Sequence, residues 1–96
     1  MIGKLTGIYT KGAGEGVALL EVGGVGYMVR APFGFFVSTH DGDHVSLFIH
    51  TAVREDAIDL YGFQTEEELL FFKQLMSVSG IGPKSALGIL NVADIS

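Results

Sequence analysis

The sequence contains no cysteine and no tryptophan, and only two of its 96 residues are proline. Without cysteine the chain can form no disulfide and has no thiolate chemistry, which fits a cytoplasmic protein. No apolar run approaches the ~20 residues that a membrane-spanning helix needs. The first residues, Met1–Leu5, lack the long apolar segment of a signal peptide and are typical of a strand. We therefore expect a cytoplasmic protein with no membrane partner.

Positive charge is also scarce, because 6 lysine and arginine residues stand against 11 aspartate and glutamate residues and leave a net charge of −5. This balance argues against a generally basic nucleic-acid binder. Any contact with DNA must therefore be local and made by backbone amides and a few cations. Lys4, Lys11 and Arg30 are too scattered along the chain to indicate a DNA-binding stripe.

The sequence shows no catalytic constellation. No nucleophile–base set is visible, and Pro83 stands where a phosphate loop needs a glycine, directly before Lys84-Ser85. We expect neither enzyme activity nor a cofactor. A metal site is suggested only by four residues around one turn, His40, Asp41, Asp43 and His44. Because no fixed helical spacing orients them, a polar turn is favoured and no metal is expected.

The first two thirds of the chain predict five short strands separated by glycine-containing turns. Their bounds are Ile2–Thr10, Val17–Val22, Val25–Arg30, His44–Val53 and Ala57–Phe63. Gly23-Gly24 is typical of a two-residue hairpin turn, and Gly3 and Gly7 are expected to allow bends or bulges. The aromatic segment Pro32–Ser38 predicts a short helix closing one end of a barrel. Together these elements favour a small Greek-key barrel of the OB type.

Helical signals begin at Thr65, where Thr65–Glu68 forms a capping box. A broad apolar stripe follows, made of Leu69, Leu70, Phe71, Phe72, Leu75, Met76 and Val78. Such a wide face is expected to be buried on the barrel and on a second helix. Asn91 is a plausible C-cap of that second helix. The fold class is thus mostly β with C-terminal α: a five-stranded OB barrel followed by a helix-hairpin-helix segment.

The segment Leu75–Leu90 contains the most informative motif, in which Gly80-Ile81-Gly82 joins two apolar helical pieces. Glycine allows a tight reversal of the chain, and Pro83 fits the first position of a helix. The N-terminal amides of the second helix would then point outward beside Lys84 and suit a phosphate. This spacing is similar to the helix-hairpin-helix motif, which holds DNA by its backbone. A plain helical hairpin that binds nothing is the alternative.

An ordered set of motifs makes the whole chain resemble the RuvA family, the Holliday-junction-binding subunits of a bacterial branch-migration motor. The motifs are Met1–Gly3, Glu21–Tyr27, His50, Val53–Ala57, Leu60–Phe63 and Val78–Lys84. The hairpin alone is moderately specific for this family, whereas the ordered set is highly specific. The expected processes are structure-specific, sequence-independent junction binding in branch migration, DNA recombination and DNA repair, including the SOS response.

The resemblance implies an architecture that this chain covers in part. Residues 1–63 would be the OB barrel, and residues 64–96 the first helix-hairpin-helix of a truncated helical domain. A second hairpin and a flexible domain that contacts the hexameric motor RuvB would lie outside the chain. The resemblance further implies a homotetramer, with an octamer as a further form of the full-length protein, and RuvC resolvase as a partner. The ATPase would reside in RuvB.

The resemblance also implies roles for individual residues. Glu55 and Asp56 would form an acidic pin at the centre of a four-fold plate, where carboxylates repel phosphates. Arg54 would either pair with a phosphate or brace the loop. The DNA backbone would be held by Gly80, Ile81, Gly82, Pro83, Lys84 and Ser85.

Three other classes of function compete with a junction scaffold. A single-strand-binding OB module would present stacking aromatics, with Phe33, Phe35 and Phe36 as candidates. A protein-interaction domain with an inert hairpin would fit the acidic charge. A metal-dependent nuclease using Asp41 and Asp43 is the weakest alternative.

Overall fold

The computed structural model describes the backbone of residues 1–95, and the side chains of these residues except 79 and 93–95. It contains five strands and three helices in the described part of the chain. They are β1 (Lys4–Thr10), β2 (Val17–Val22), β3 (Val25–Arg30), α1 (Phe33–Ser38), β4 (His44–Val53), β5 (Ile58–Phe63), α2 (Glu66–Ser79) and α3 (Pro83–Ile95). None of the helices within residues 1–95 is long and apolar enough to cross a membrane.

The strands close into a barrel in the order β1-β2-β3-β5-β4, with β4 returning to β1. All neighbouring pairs are antiparallel except β3 and β5, which run parallel and are joined through Val29↔Leu60 and Arg30↔Tyr61. Gly23 and Gly24 form the turn between β2 and β3 with φ values of 57° and 88°, which glycine adopts without a Cβ penalty. The predicted OB-type barrel followed by helices is confirmed.

The barrel interior is filled by side chains from alternate strand positions, as the pleat requires. Leu20, Val29 and Leu47 are completely buried there. Helix α1 covers one end of the barrel and inserts Phe35, whose ring meets Tyr9 edge-on at 5.2 Å between centroids. The aromatic segment therefore acts as a plug that belongs to the core.

Gly7 contributes to the barrel through close approach of two strands. It has no positive φ, and a Cβ at this position would collide with the carbonyl oxygen of Glu21 on β2. The expected bend is thus a place where only a hydrogen fits between β1 and β2. Gly62 is similar, because a Cβ there would lie 2.6 Å from Val29.

A second apolar cluster joins the helices to the outside of the barrel. Its buried members are Tyr61, Phe63, Leu69, Phe72, Ala86 and Leu90. Phe63 and Phe72 are the closest ring pair, at 4.8 Å between centroids. The expectation that the whole stripe of α2 is buried is wrong, because Leu70, Phe71 and Val78 are exposed. Helix α2 meets the barrel along one edge, so residues on its far side remain in solvent.

Asn91 does not end α3, which continues to Ile95. Its side-chain oxygen instead accepts a hydrogen bond of 2.8 Å from the backbone amide of Phe33. That amide opens α1, whose N-cap residue Pro32 has no side chain able to cap it. Asn91 therefore caps a helix that lies 58 residues away in sequence.

Candidate nucleic-acid interface

The turn between α2 and α3 is built on one left-handed glycine. Gly80 has φ 68° and ψ 18°, and its amide donates a 3.1 Å hydrogen bond to the carbonyl of Met76. This geometry ends α2 in the way that favours glycine over any residue with a Cβ. The next residue, Ile81, is half-buried and packs against the apolar cluster shared by the helices and the barrel. The turn is consequently fixed at both Gly80 and Ile81.

Helix α3 begins at Pro83, and its first backbone hydrogen bond runs from the amide of Ala86 to the carbonyl of Gly82, at 3.0 Å. The amides of Lys84 and Ser85 lie in this first turn, where a helix offers them no backbone acceptor. Both side chains are exposed. Ala86 is completely buried, so the start of α3 faces solvent on one side and the core on the other.

Gly82 leaves the approach to this first turn open. A Cβ at Gly82 would meet no atom of the chain within 4 Å, and its φ is not positive. The fold itself therefore does not require glycine here. Gly82 leaves the surface beside the start of α3 open. The partial positive charge at a helix N-terminus attracts anions.

The loop between β4 and β5 carries the two carboxylates that the sequence predicts to form a pin. The loop is closed by a 2.8 Å hydrogen bond from the amide of Arg54 to the carbonyl of Ala57. Glu55 and Asp56 are exposed at its tip and make no hydrogen bond or ion pair with the described residues. Their charges are thus free to act on whatever approaches the loop.

Arg54 braces this loop in the free protein. A guanidinium nitrogen lies 2.9 Å from a carboxylate oxygen of Asp59 on β5, and that aspartate is three-quarters buried. Of the two roles left open for Arg54, the structure provides the bracing contact. Phosphate contact by Arg54 stays a prediction.

The hairpin and the loop border the same groove, whose volume is about 370 Å³. Its charged lining residues are Arg30, Arg54, Asp59 and Lys84. Burial raises the pKa of Tyr61, which also lines the groove; Asp59 adds to the rise, while Arg30 and Arg54 oppose it. Arg30, which is too far in sequence from the other cations to indicate a DNA-binding stripe, therefore lies beside Arg54 and Lys84 in the folded chain. Only the parallel pairing of β3 with β5 brings Arg30 here, and no local sequence signal reveals that pairing.

The residues considered for a metal are engaged in turn geometry. Asp41 accepts a 2.9 Å hydrogen bond from the amide of Lys11, and Asp43 accepts one of 2.9 Å from the amide of His40. The imidazole of His40 lies 3.8 Å from Asp43. Within residues 1–95 as described, no group of three or more metal-ligating side chains comes together.

The aromatic residues considered for base stacking are largely used in packing. Phe35 is buried, and Phe36 is half-buried with its ring 5.1 Å from that of Phe35. Phe33 is 54% exposed and is the only one of the three available to a base. Stacking on successive bases would require more than one such ring.

Comparisons with known proteins agree on one family. The family model described as "RuvA N terminal domain" matches residues 1–62. Among curated relatives, the "Holliday junction branch migration complex subunit RuvA" of Pelobacter propionicus is 48% identical over 91 residues, covering 95% of this chain and 46% of that protein. The RuvA of Geobacter sp. strain M21 is 46% identical over 97 residues, covering 100% of this chain and 48% of its own length.

A third relative gives the same result. The RuvA of Acinetobacter baylyi is 49% identical over 77 residues, covering 80% of this chain and 38% of that protein. The chain spans about half the length of the curated relatives that it matches.

Proposed function

Because the chain belongs to the RuvA family, we propose that it binds four-way DNA junctions through their backbone and holds them open for branch migration. The binding is structure-specific and independent of base sequence, since backbone contacts position a duplex without reading it. The relatives are named as subunits of a branch-migration complex, and this chain would contribute the junction-binding part.

The observation that carries this proposal is the open first turn of α3. Two amides without backbone acceptors, the exposed Lys84 and the bare Gly82 lie on one surface of an otherwise acidic chain. A phosphate fits this combination through charge and through hydrogen bonding. The proposed backbone-binding set is Gly80, Ile81, Gly82, Pro83, Lys84 and Ser85.

The proposed role of Glu55 and Asp56 is repulsion. At about 5 Å, a carboxylate and a phosphate repel each other by under 1 kcal/mol in water, and by several times more where water is partly excluded. Four such loops at the centre of an assembly would disfavour a continuous duplex across the centre. A junction avoids this penalty, because its strands turn outward at the crossover.

The proposed assembly is a homotetramer, and the full-length protein would also form an octamer. The proposed division places the barrel in residues 1–63 and the first helix-hairpin-helix of a larger helical domain in residues 64–96. Its proposed protein partners are the RuvB motor, contacted through a domain outside this chain, and the RuvC resolvase. We expect cytoplasmic location, as for any protein that acts on the bacterial chromosome.

The proposal assigns no catalysis to this chain, and ATP hydrolysis would belong to the motor. Incubation of the purified chain with junction DNA and Mg²⁺ should release no cleaved strand, and incubation with ATP should release no phosphate. Cleavage that disappears in Asp43→Asn would favour the nuclease alternative.

The deciding experiment compares the affinity of the chain for a four-way junction, a duplex and a single strand of matched length by gel shift. Light scattering reports the mass of the protein and of each complex. We expect the junction to bind most tightly. Preferential binding of the single strand would favour the OB stacking module, and binding of none of the three would favour a protein-interaction domain.

A further inference from the structure

The groove between the barrel and α3 concentrates the positive charge of the chain. Three of its 6 lysine and arginine residues line it, namely Arg30, Arg54 and Lys84. They come from three separate elements: the end of β3, the β4–β5 loop and the first turn of α3. Among the residues that the structure describes, the one carboxylate in the lining belongs to Asp59. The groove thus carries a net positive charge on a protein whose net charge is −5.

The three cations differ in whether they form an ion pair within the chain. Arg54 is held by Asp59 at 2.9 Å. Arg30 and Lys84 form no ion pair with the residues that the structure describes. Arg30 is half-buried, which fixes its side chain more firmly than that of the exposed Lys84. A guanidinium that forms no ion pair is suited to bind two oxygens of one phosphate.

We propose that this groove is a phosphate-binding site in which Arg30 of the barrel and Lys84 of the hairpin hold the same stretch of DNA backbone. The inference rests on the proposed function, because the ligand is a phosphodiester of the bound DNA. It adds the barrel to the binding surface, which the hairpin motif alone does not include. Asp59 opposes the ligand with its charge and keeps Arg54 at the groove wall.

The first test compares Arg30→Gln with Lys11→Gln. Both remove one positive charge, but Lys11 lies in the β1–β2 turn and does not line the groove. We expect Arg30→Gln to weaken junction binding about threefold to fivefold more than Lys11→Gln does. The slope of log K against log salt should also become shallower by about 1 when Arg30 no longer binds a phosphate, which removal of a charge elsewhere does not produce.

Two further variants separate binding from folding. Arg30→Lys keeps the charge and should retain most of the salt slope without the two-pronged geometry of a guanidinium. Asp59→Asn removes the carboxylate from the groove and should tighten junction binding about twofold to threefold. A higher affinity cannot result from a folding defect. If Asp59→Asn weakens binding and Arg30→Gln behaves like Lys11→Gln, the groove is not a phosphate site.

A second readout keeps this inference apart from the proposed function. Inorganic tripolyphosphate is titrated into the ¹⁵N-labelled chain, and the amide shifts of Gly82, Lys84 and Ser85 and the side-chain resonance of Arg30 are followed. One outcome is that the wild type binds no junction but shows saturable shifts with tripolyphosphate, and that these shifts disappear in Arg30→Gln. This outcome supports the phosphate site in the groove and contradicts the junction proposal. If the wild type binds the junction and Arg30→Gln has the same junction affinity as Lys11→Gln, the phosphate site in the groove is contradicted and the junction proposal is supported. Absence of both kinds of binding overturns both.

Discussion

The hairpin turn at residues 80–85 and the loop at residues 54–57 lie beside one groove but are built in opposite ways. The hairpin turn depends on backbone conformation, since Gly80 takes φ 68° and the first amides of α3 are the proposed binding groups. The loop depends on side-chain charge, because exposed Glu55 and Asp56 extend from an ordinary hydrogen-bonded reversal. The proposed attraction for DNA therefore depends on the geometry of the backbone, and the proposed repulsion depends on two replaceable side chains.

The largest effect is expected at the hairpin. Gly82→Val combined with Lys84→Ala should weaken junction binding about thirtyfold, because it covers the free amides and removes the nearby cation. Folding should be almost unchanged, since a Cβ at Gly82 meets nothing within 4 Å and the φ of Gly82 is not positive. Gel shift gives the affinity, and a thermal melt gives the stability. Undiminished affinity in the folded variant would remove the hairpin from the binding surface.

The loop should respond in the opposite direction. In the proposed tetramer, Glu55→Gln with Asp56→Asn should tighten duplex binding and lower the junction-to-duplex affinity ratio about tenfold. The reason is that neutral side chains no longer penalise phosphates passing over the centre. The difference should shrink at high salt, where exposed charges are screened. Affinities for both DNAs at two salt concentrations measure it, and a ratio that stays constant would make these residues an ordinary solvated turn.

A smaller effect separates the two glycines of the hairpin. Gly80→Ala should lower the free energy of unfolding by about 1 kcal/mol, because alanine is strained at a positive φ. Gly82→Ala is the matched control and should leave stability nearly unchanged. Urea denaturation followed by circular dichroism distinguishes the two variants. Equal stability would mean that the turn can relax away from the left-handed conformation of Gly80.

The smallest expected effect is on the pH dependence of stability. It concerns His50 on β4, which lies between the barrel and α2. Its ring packs against Phe72 at 5.5 Å, and burial lowers its pKa, with the charge of Lys73 adding to the effect. A histidine whose pKa is lower folded than unfolded stabilises the fold above its unfolded pKa of about 6.5, and that contribution disappears as pH falls. Stability should therefore decline from pH 7 to pH 5.

His50→Gln is the matched variant for this pH effect, since glutamine does not titrate. Its unfolding free energy should vary less between pH 7 and pH 5 than that of the wild type. The same slope in both proteins would assign the acid sensitivity to other groups.

The sequence predicted those features that are controlled by neighbouring residues. Thr65 caps α2 by accepting a 3.2 Å hydrogen bond from the amide of Glu68, and the Glu68 side chain accepts one from the amide of Gln64 at 3.3 Å. Gly80 ends that helix, and Pro83 begins the next. Each of these depends on residues within four positions, so the local pattern of residues carries the information.

The features missed by the sequence depend on distant partners. Asn91 was expected to be a C-cap. Its actual partner, the amide of Phe33, lies 58 residues away in sequence, so the local pattern could not reveal it. Arg30 was not expected beside other cations, because the parallel pairing of β3 and β5 that brings it to the groove is not visible in the local sequence. Leu70 and Phe71 looked buried, because an apolar stripe does not reveal how much of its width a barrel can cover.

The hydrogen bond from Phe33 to Asn91 has a mechanical consequence. Near its start, helix α3 packs into the apolar cluster through Ala86. Further along, Asn91 accepts the hydrogen bond from Phe33 in α1, the helix that covers the end of the barrel. Because α3 is held at Ala86 and again at Asn91, we expect that it does not rotate about either contact. In the proposed complex, force on a phosphate bound near the start of α3 would therefore be transmitted to the barrel through both contacts. With α3 held at two places, we expect the DNA rather than the hairpin to change shape when the proposed complex forms.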